Sequence, residues 1–171
     1  MLEGKWCDMS ESIVIYDLKK DDDLSGLVSL SKDFFLEYQS HHKEFFLIDD
    51  LKDSDIIKYF NGFIDVEERK VFIAVLSGRV IGYIAVYVKA QPPFWEIKKV
   101  GDISGLMVHK DYRRKGIASK LMSKAIDFFK EKGVKYYSVF TAVNNHLAIE
   151  FYKQSGMEPL HIRMLGEIDN M

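Results

Sequence analysis

Apolar residues recur along this chain with the spacings of both helices and strands. Between residues 24 and 38 they return with the period of one helix face. The segment 71–88 instead contains two continuous apolar runs separated by Ser77-Gly78, which is typical of a hairpin. The pattern predicts strands at 13–16, twice within 71–88, and at 100–108, 136–142 and 160–165, and helices at 24–38, 56–64, 116–132 and 147–154.

Composition and charge restrict the classes of function. With 171 residues and 47% hydrophobic side chains, we expect a single domain over 1–171, with an irregular segment at 1–11. The formal net charge of −2 argues against a general nucleic-acid binder, which usually has a basic excess. The single cysteine, Cys7, excludes an intrachain disulfide and favours a cytoplasmic location. The sequence contains neither a run of about 18 apolar residues nor a signal-peptide core, so no membrane interaction is expected.

The stretch "VHKDYRRKGIASKL" at 108–121 concentrates basic residues and a glycine between a predicted strand and a predicted helix. A helix N-terminus presents unpaired N–H groups and the positive end of its dipole, which suits an anion. Gly116 allows close approach of the main chain to a ligand, and Arg113, Arg114 and Lys115 add positive charge. One interpretation is a phosphate cradle. The other is a solvated basic turn in which the glycine only redirects the chain.

Two motifs in this part of the chain resemble those of the GNAT superfamily of acetyl-CoA-dependent N-acetyltransferases. "LMVHKDYRRKGIA" at 106–118 is similar to the first motif, and "NHLAIEFYKQSGM" at 145–157 is similar to the second. Met157 stands where the family more often has Phe. The matching positions are Arg113, Gly116, Ala118, Asn145, Ala148, Tyr152 and Gly156.

The resemblance implies an α/β fold and a coenzyme. The expected fold has a central mixed, mostly antiparallel sheet of six to seven strands, splayed between strands 4 and 5 and flanked by about four helices. Acetyl-CoA would be the acyl donor, its pantetheine arm paired with the fourth strand and its pyrophosphate on amides at the start of the next helix. The cofactor-binding residues that this selects are Leu106, Met107, Val108, Arg113, Arg114, Lys115, Gly116, Ile117, Ala118 and Ser119.

The second motif supplies two further candidates. The resemblance implies that Asn145 hydrogen-bonds the pantetheine and that Tyr152 lies near the thioester sulfur as the catalytic acid. Each has a structural alternative, because Asn145 is a good cap for a helix and Tyr152 is compatible with a packed aromatic whose hydroxyl is satisfied. His41 and His42 are adjacent without a third ligand nearby, so no metal site is predicted.

The expected reaction is transfer of an acetyl group to a primary amine. No Ser-His-Asp or Cys-His set is apparent, which favours direct attack in a ternary complex over a covalent acyl-enzyme. An amide near Val108 is expected to polarise the thioester carbonyl. Three alternatives stay open: a GNAT enzyme that uses another acyl-CoA, a non-catalytic coenzyme A-binding regulatory module, and a nucleic-acid-binding domain that uses Arg113–Lys115.

Asp102 is a candidate general base because it is an acid within the apolar run 100–108. In histone-acetylating members of the superfamily a glutamate stands at the matching position. Strand alternation would place on one face Asp102, Ser104, Leu106 and Val108. The alternative is an exposed Asp102 at the start of the strand, paired with Lys98 or Lys99.

The acceptor is the partner that the sequence determines least. In the family, the first two helices and their connection, here 24–66, usually shape its pocket. Their side chains fit either an aromatic pocket with an acidic rim for a cationic amine or core aromatics with helix-capping acids. These residues are Phe34, Phe35, Tyr38, Phe45, Phe46, Asp49, Asp50, Asp53 and Asp55. Phe94 and Trp95 are lid candidates. The expected partners are acetyl-CoA and a small-molecule or protein amine, without nucleic acid, in a monomer or homodimer.

Overall fold

The secondary structure follows most of the order that the sequence predicts. The computed structural model describes residues 12–168, so the segment 1–11 lies outside the described residues. The strands are β1 Val14–Asp17, β2 Arg69–Leu76, β3 Arg79–Ala90, β4 Lys99–Val108 and β5 Tyr137–Val139. The α-helices are α1 Ser25–Tyr38, α2 Asp53–Asn61, α3 Ile117–Glu131 and α4 His146–Gln154. None of the helices in 12–168 is long and apolar enough to cross a membrane.

The strands form one mixed sheet in the order β1-β2-β3-β4-β5. Neighbours are antiparallel except for β4 and β5, which are parallel. The predicted hairpin joins β2 to β3, and both Ser77 and Gly78 have positive φ, as a type I′ hairpin turn requires. The mostly antiparallel mixed sheet is therefore confirmed.

The expected count of six to seven strands is wrong for residues 12–168, which contain five. The predicted strand at 160–165 is absent, and the side chains of Leu160, Ile162 and Met164 are exposed. Alternating apolar residues favour a strand only where a neighbouring strand supplies hydrogen bonds and a face to cover, and this segment lacks such a neighbour in 12–168. For the same reason β5 is shorter than the predicted 136–142, since it pairs with β4 at three positions only.

Helices cover both faces of the sheet. α1 and α2 pack on one face, where Leu27, Phe60, Tyr83 and Met107 belong to a single buried cluster. α3 packs on the other face, which its buried residues reach at helical spacing. Gly101 of β4 lies under α3, where an added Cβ would come within 2.6 Å of the Phe129 ring. The close packing of α3 therefore requires glycine in this strand.

Contacts within the chain form two compact units, the first ending at Phe140 and the second beginning at Thr141. The sheet and α1 to α3 belong to the first unit, and α4 belongs to the second. α4 ends at Gln154. Gly156 follows with φ of 85°, which allows the Met157 N–H to bond the Tyr152 carbonyl at 3.0 Å. The single domain over 1–171 stays a prediction.

Candidate active site

Within residues 12–168, one edge of β4 has no strand partner along its second half. β4 pairs with β3 along its length, whereas its pairing with β5 is confined to Gly101–Ile103. Within residues 12–168, no strand covers the β5 side of 104–108. An extended chain can pair with such an edge through main-chain hydrogen bonds. This is the separation between strands 4 and 5 that the sequence resemblance implied, and it falls at Leu106, Met107 and Val108.

The turn after β4 leads into the open end of α3. Arg114 and Gly116 both have positive φ, 59° and 75°. The first main-chain bond of α3 runs from the Lys120 N–H to the Gly116 carbonyl at 3.1 Å. The amides of Ile117, Ala118 and Ser119 therefore precede the first helical bond, and the helix dipole adds partial positive charge there. A Cβ on Gly116 would meet nothing within 4 Å. This geometry suits an anion.

The Arg113 side chain turns away from this helix end. Its Nε donates to the Val108 carbonyl at 2.9 Å, and its Nη2 contacts both Glu37 carboxylate oxygens at 2.7 and 2.8 Å. Arg113 thereby ties the end of β4 to α1. Lys115 lies over the Tyr112 ring, with its ammonium 5.1 Å from the ring centre. We infer that main-chain amides, more than the basic side chains, define the site.

A β-bulge at Ser104 changes the face on which Asp102 lies. The register of β3 and β4 shifts there, leaving Ser104 as an extra residue on β4. The extra residue reverses the alternation, so Asp102 lies on the face covered by α1 and α2, opposite Leu106 and Val108. The expectation that these four residues share one face is therefore wrong.

Asp102 is held by side chains from both neighbouring strands. Lys89 of β3 forms an ion pair with it, and the Ser138 hydroxyl of β5 donates to its Oδ2 at 3.1 Å. The hydrogen bond to Asp102 raises the pKa of Lys89, against the opposing effect of burial. The side chain of Asp102 is only 15% exposed. Asp102 is therefore neither exposed nor paired with Lys98 or Lys99, and it keeps a fixed orientation.

Asp102 also belongs to a row of polar residues that crosses the sheet. Arg69 lies opposite Tyr87 in the β2–β3 register, and Tyr87 lies opposite Asp102 in the β3–β4 register. Ser138 continues the row on β5. Burial and the neighbouring Asp102 carboxylate raise the pKa of the Tyr87 hydroxyl. Sequence reasoning missed this row because its members are far apart in the chain and meet only through strand register.

A cleft of about 490 Å³ lies beside this row, between α2 and the sheet. The Tyr59 hydroxyl of α2 and the Ser104 hydroxyl, 2.6 Å apart, are hydrogen-bonded at its wall. Burial raises the pKa of Tyr59, and its bond to Ser104 acts in the opposite direction. The cleft lining includes Asp55, Lys58, Tyr59, Arg69, Tyr87 and Ser104. Only Asp55 was among the acceptor candidates selected from the sequence.

The other acceptor candidates lie elsewhere. The Tyr38 ring contacts the rings of Phe34 and Phe46, and Phe34 packs against the buried cluster under α1. Asp53 forms an ion pair with Lys32. Asp53 and Asp55 lie in the first turn of α2, where their charge suits the helix dipole. Neither caps the helix, because the N-cap residue is Lys52 and its side chain makes no capping bond, so the helix-capping alternative is wrong here. The loop between β3 and β4 carries Phe94 and Trp95, which contact each other and are exposed.

The adjacent histidines His41 and His42 contact residues that are near them in the chain, His41 through the Tyr38 ring. The Nδ1 of His42 accepts the Glu44 and Phe45 amides at 3.2 and 3.0 Å, so this ring closes a turn. Residues 12–168 contain no group of three or more His, Cys, Asp or Glu placed to hold a metal ion.

In the second unit, Asn145 caps α4. Its Oδ1 accepts the Ala148 N–H at 3.3 Å, which confirms the capping alternative. Tyr152 is the buried residue of α4, with 8% exposure. The contact of Asn145 with pantetheine and the place of Tyr152 near a thioester stay predictions.

Comparison with known proteins adds relatives and a fold. The profile of the acetyltransferase (GNAT) family matches residues 33–157. An uncharacterized N-acetyltransferase of Methanocaldococcus jannaschii is 31% identical over 104 residues, which cover 58% of this chain and 44% of the relative. Another, from Archaeoglobus fulgidus, is 32% identical over 98 residues, which cover 57% of this chain and 66% of the relative. The chain thus spans less than two thirds of the length of these relatives.

A solved structure shows the same fold. It is a crystal structure of a predicted acetyltransferase with acetyl-CoA from Clostridium acetobutylicum, and it superposes with a TM-score of 0.74. The alignment covers 94% of this chain and 99% of that chain at 18% identity. At this identity the likeness establishes the fold alone.

Proposed function

Because this chain belongs to the GNAT acetyltransferase family, we propose that it transfers the acetyl group of acetyl-CoA to a primary amine. One observation carries the proposal. The unpaired edge of β4 at 104–108 continues directly through a left-handed turn into the open amides at 117–119. A long ligand that is extended at one end and anionic at the other matches this sequence of groups, and coenzyme A has that form.

The residues present fit such a ligand. The main chain of Leu106, Met107 and Val108 would pair with the pantetheine arm, and the amides from Arg114 to Ser119 would hold the pyrophosphate. A Cβ on Gly116 would meet nothing within 4 Å, so the protein leaves room for a ligand beside this α-carbon. Bound acetyl-CoA would supply the activated acetyl group. Its presence with a structural neighbour of the same fold adds support.

The chain's own residues would carry the proton transfers. In the proposed step, the amine nitrogen forms a bond to the acetyl carbon while the carbon–sulfur bond breaks. Asp102, or a water held by it, takes the proton from the amine, and Tyr152 donates a proton to the departing thiolate. An N–H near Val108 polarises the carbonyl. Holding both reactants in place would lower the activation free energy by roughly several kcal/mol, as the effective molarities of well-oriented reactants imply.

An amine panel tests the function. Purified protein is mixed with acetyl-CoA and single primary amines, and free thiol release is followed. We expect amine-dependent thiol release, together with acetyl-CoA binding in calorimetry. Acetyl-CoA binding without thiol release for any amine would instead identify a non-catalytic coenzyme A-binding module. Faster release from a longer acyl-CoA would identify a different donor. The cytoplasmic location and the monomeric or dimeric state stay predictions.

A further inference from the structure

The cleft between α2 and the sheet is positively charged. Lys58 of α2 and Arg69 of β2 both line it, and Asp55 supplies its carboxylate. Within residues 12–168, no carboxylate lies within ion-pair distance of Lys58 or Arg69. Lys70, the neighbour of Arg69 in β2, is paired with Asp17 at 3.2 Å. The two cleft cations are therefore available to an anionic group.

Arg69 is the better placed of the two for binding an anion. One of its terminal nitrogens donates to the Gly62 carbonyl at 3.1 Å, and its guanidinium lies 5.8 Å from the centre of the Phe63 ring. These contacts fix its position and leave further N–H donors for a carboxylate. Its positive charge also acts on the hydroxyls of Tyr59 and Tyr87. Burial raises the pKa of each hydroxyl, and the charge of Arg69 acts to lower it. The two hydroxyls are themselves hydrogen-bonded, Tyr59 to Ser104 and Tyr87 to Asp102, so the guanidinium is the donor left for an anion.

The remaining lining and the volume limit the size of the ligand. Tyr59, Phe63 and Tyr87 give the cleft aromatic walls, which suit an apolar body between two polar ends. About 490 Å³ is enough for a small molecule of amino-acid or slightly greater size. Ser104 connects the cleft to β4, and it lies two residues before Leu106, a separation of roughly 7 Å along a strand. A ligand in the cleft therefore reaches the proposed pantetheine site.

We propose that this cleft selects a small primary amine that also carries a carboxylate, with the carboxylate at Arg69 and Lys58. The inference rests on the proposed acetyltransferase function and adds its acceptor class. It replaces the cationic amine that the sequence suggested from an acidic rim. Of the four acids of that rim Asp55 alone lines the cleft, whereas two cations line it. The amine end then points along β4 toward the thioester.

The test compares acids with their amides. Each ω- or α-amino acid of a panel, for example 6-aminohexanoate, is paired with its primary amide, which keeps the amine and removes the negative charge. We expect kcat/KM at least tenfold higher for the acid. Arg69→Gln and Lys58→Gln should reduce this preference to near unity while leaving acetyl-CoA affinity unchanged. Lys70→Gln is the control, since it removes a charge from the adjacent residue of the same strand and should keep the preference.

Binding separates this inference from the proposed function. Calorimetry with 6-aminohexanoate and its amide, in the presence of coenzyme A, measures the affinity for the acceptor without turnover. Tighter binding of the acid that is lost in Arg69→Gln supports the inference even when no amine is acetylated. Equal turnover or equal binding of acid and amide by the parent protein overturns it, although acetylation of both would leave the proposed function intact. A preference unchanged in both cleft variants also overturns it.

Discussion

Asp102 shows how much a single residue depends on its neighbours in the sheet. The sequence identified it correctly as an acid that needs partners within an apolar strand. It placed the side chain on the wrong face, because a β-bulge at Ser104 has no signature in strand alternation. Its actual partners, Lys89 and Ser138, come from other strands. Such contacts cannot be predicted from local spacing.

The proposed role of Asp102 as a base predicts a particular pH dependence. Asp102→Asn should lower kcat/KM mainly at acidic and neutral pH, where the acceptor amine is protonated. Activity should partly recover at high pH, because more of the amine is already neutral. Lys89→Gln is the control, since it breaks the same ion pair and keeps the carboxylate. pH–rate profiles of Asp102→Asn and the parent that overlay at every pH would rule out the role.

Tyr152 is proposed to carry the other proton transfer, and the test of this role removes one oxygen atom from its side chain. Tyr152→Phe should lower kcat by ~10²–10⁴ and change acetyl-CoA affinity little, if the phenol protonates the thiolate. Single-turnover kinetics are the suitable measurement, since they isolate the chemical step. Tyr136→Phe, at an exposed tyrosine, should behave like the parent. Normal turnover by Tyr152→Phe would leave this buried side chain with a packing role only.

At the scale of elements, hydrophobic periodicity correctly predicted the helices that bury a continuous apolar stripe of side chains. The helices predicted at 24–38 and 116–132 are observed at Ser25–Tyr38 and Ile117–Glu131. The prediction of a strand at 160–165 was wrong because a strand also needs a neighbouring strand to pair with. The sequence of a single segment does not show whether such a neighbour exists. The strand–turn–helix arrangement at 99–131 was predictable, since β4, the turn and α3 are contiguous in the chain. The direction of the Arg113 side chain was not, because its partner Glu37 lies on α1.

This geometry gives Arg113 a larger effect on stability than on ligand binding. Arg113→Ala removes the bond to the Val108 carbonyl and the ion pair with Glu37, both partly exposed, and should reduce the free energy of unfolding by about 1–2 kcal/mol. Glu37→Gln removes only the ion pair and should cost about 0.2–1 kcal/mol. Chemical denaturation measures both. Acetyl-CoA affinity should change less than about threefold, or about 0.7 kcal/mol. A tenfold loss confined to Arg113→Ala would show that the side chain binds the ligand directly.

At the scale of the whole molecule, the strand register brings together residues that no sequence motif connects. It aligns Arg69, Tyr87, Asp102 and Ser138 in one row across four strands. The row joins the cleft under α2 to the strand that is proposed to hold pantetheine. The proposed donor site, built from contiguous main chain, and the proposed acceptor site, built from distant side chains, thus meet at β4. The first is readable in sequence, whereas the second requires the fold.

The central claim is that the turn at Gly116 holds acetyl-CoA through its backbone, and one pair of variants tests it most directly. Gly116 and Gly78 have φ of 75° and 77°, and an added Cβ meets nothing within 4 Å at either. Gly116→Trp and Gly78→Trp should therefore carry the same backbone strain, about 1–2 kcal/mol. Calorimetric titration with acetyl-CoA should show a Kd at least tenfold higher for Gly116→Trp, about 1.4 kcal/mol, and an unchanged Kd for Gly78→Trp. Equal affinity in the two folded variants would contradict the account.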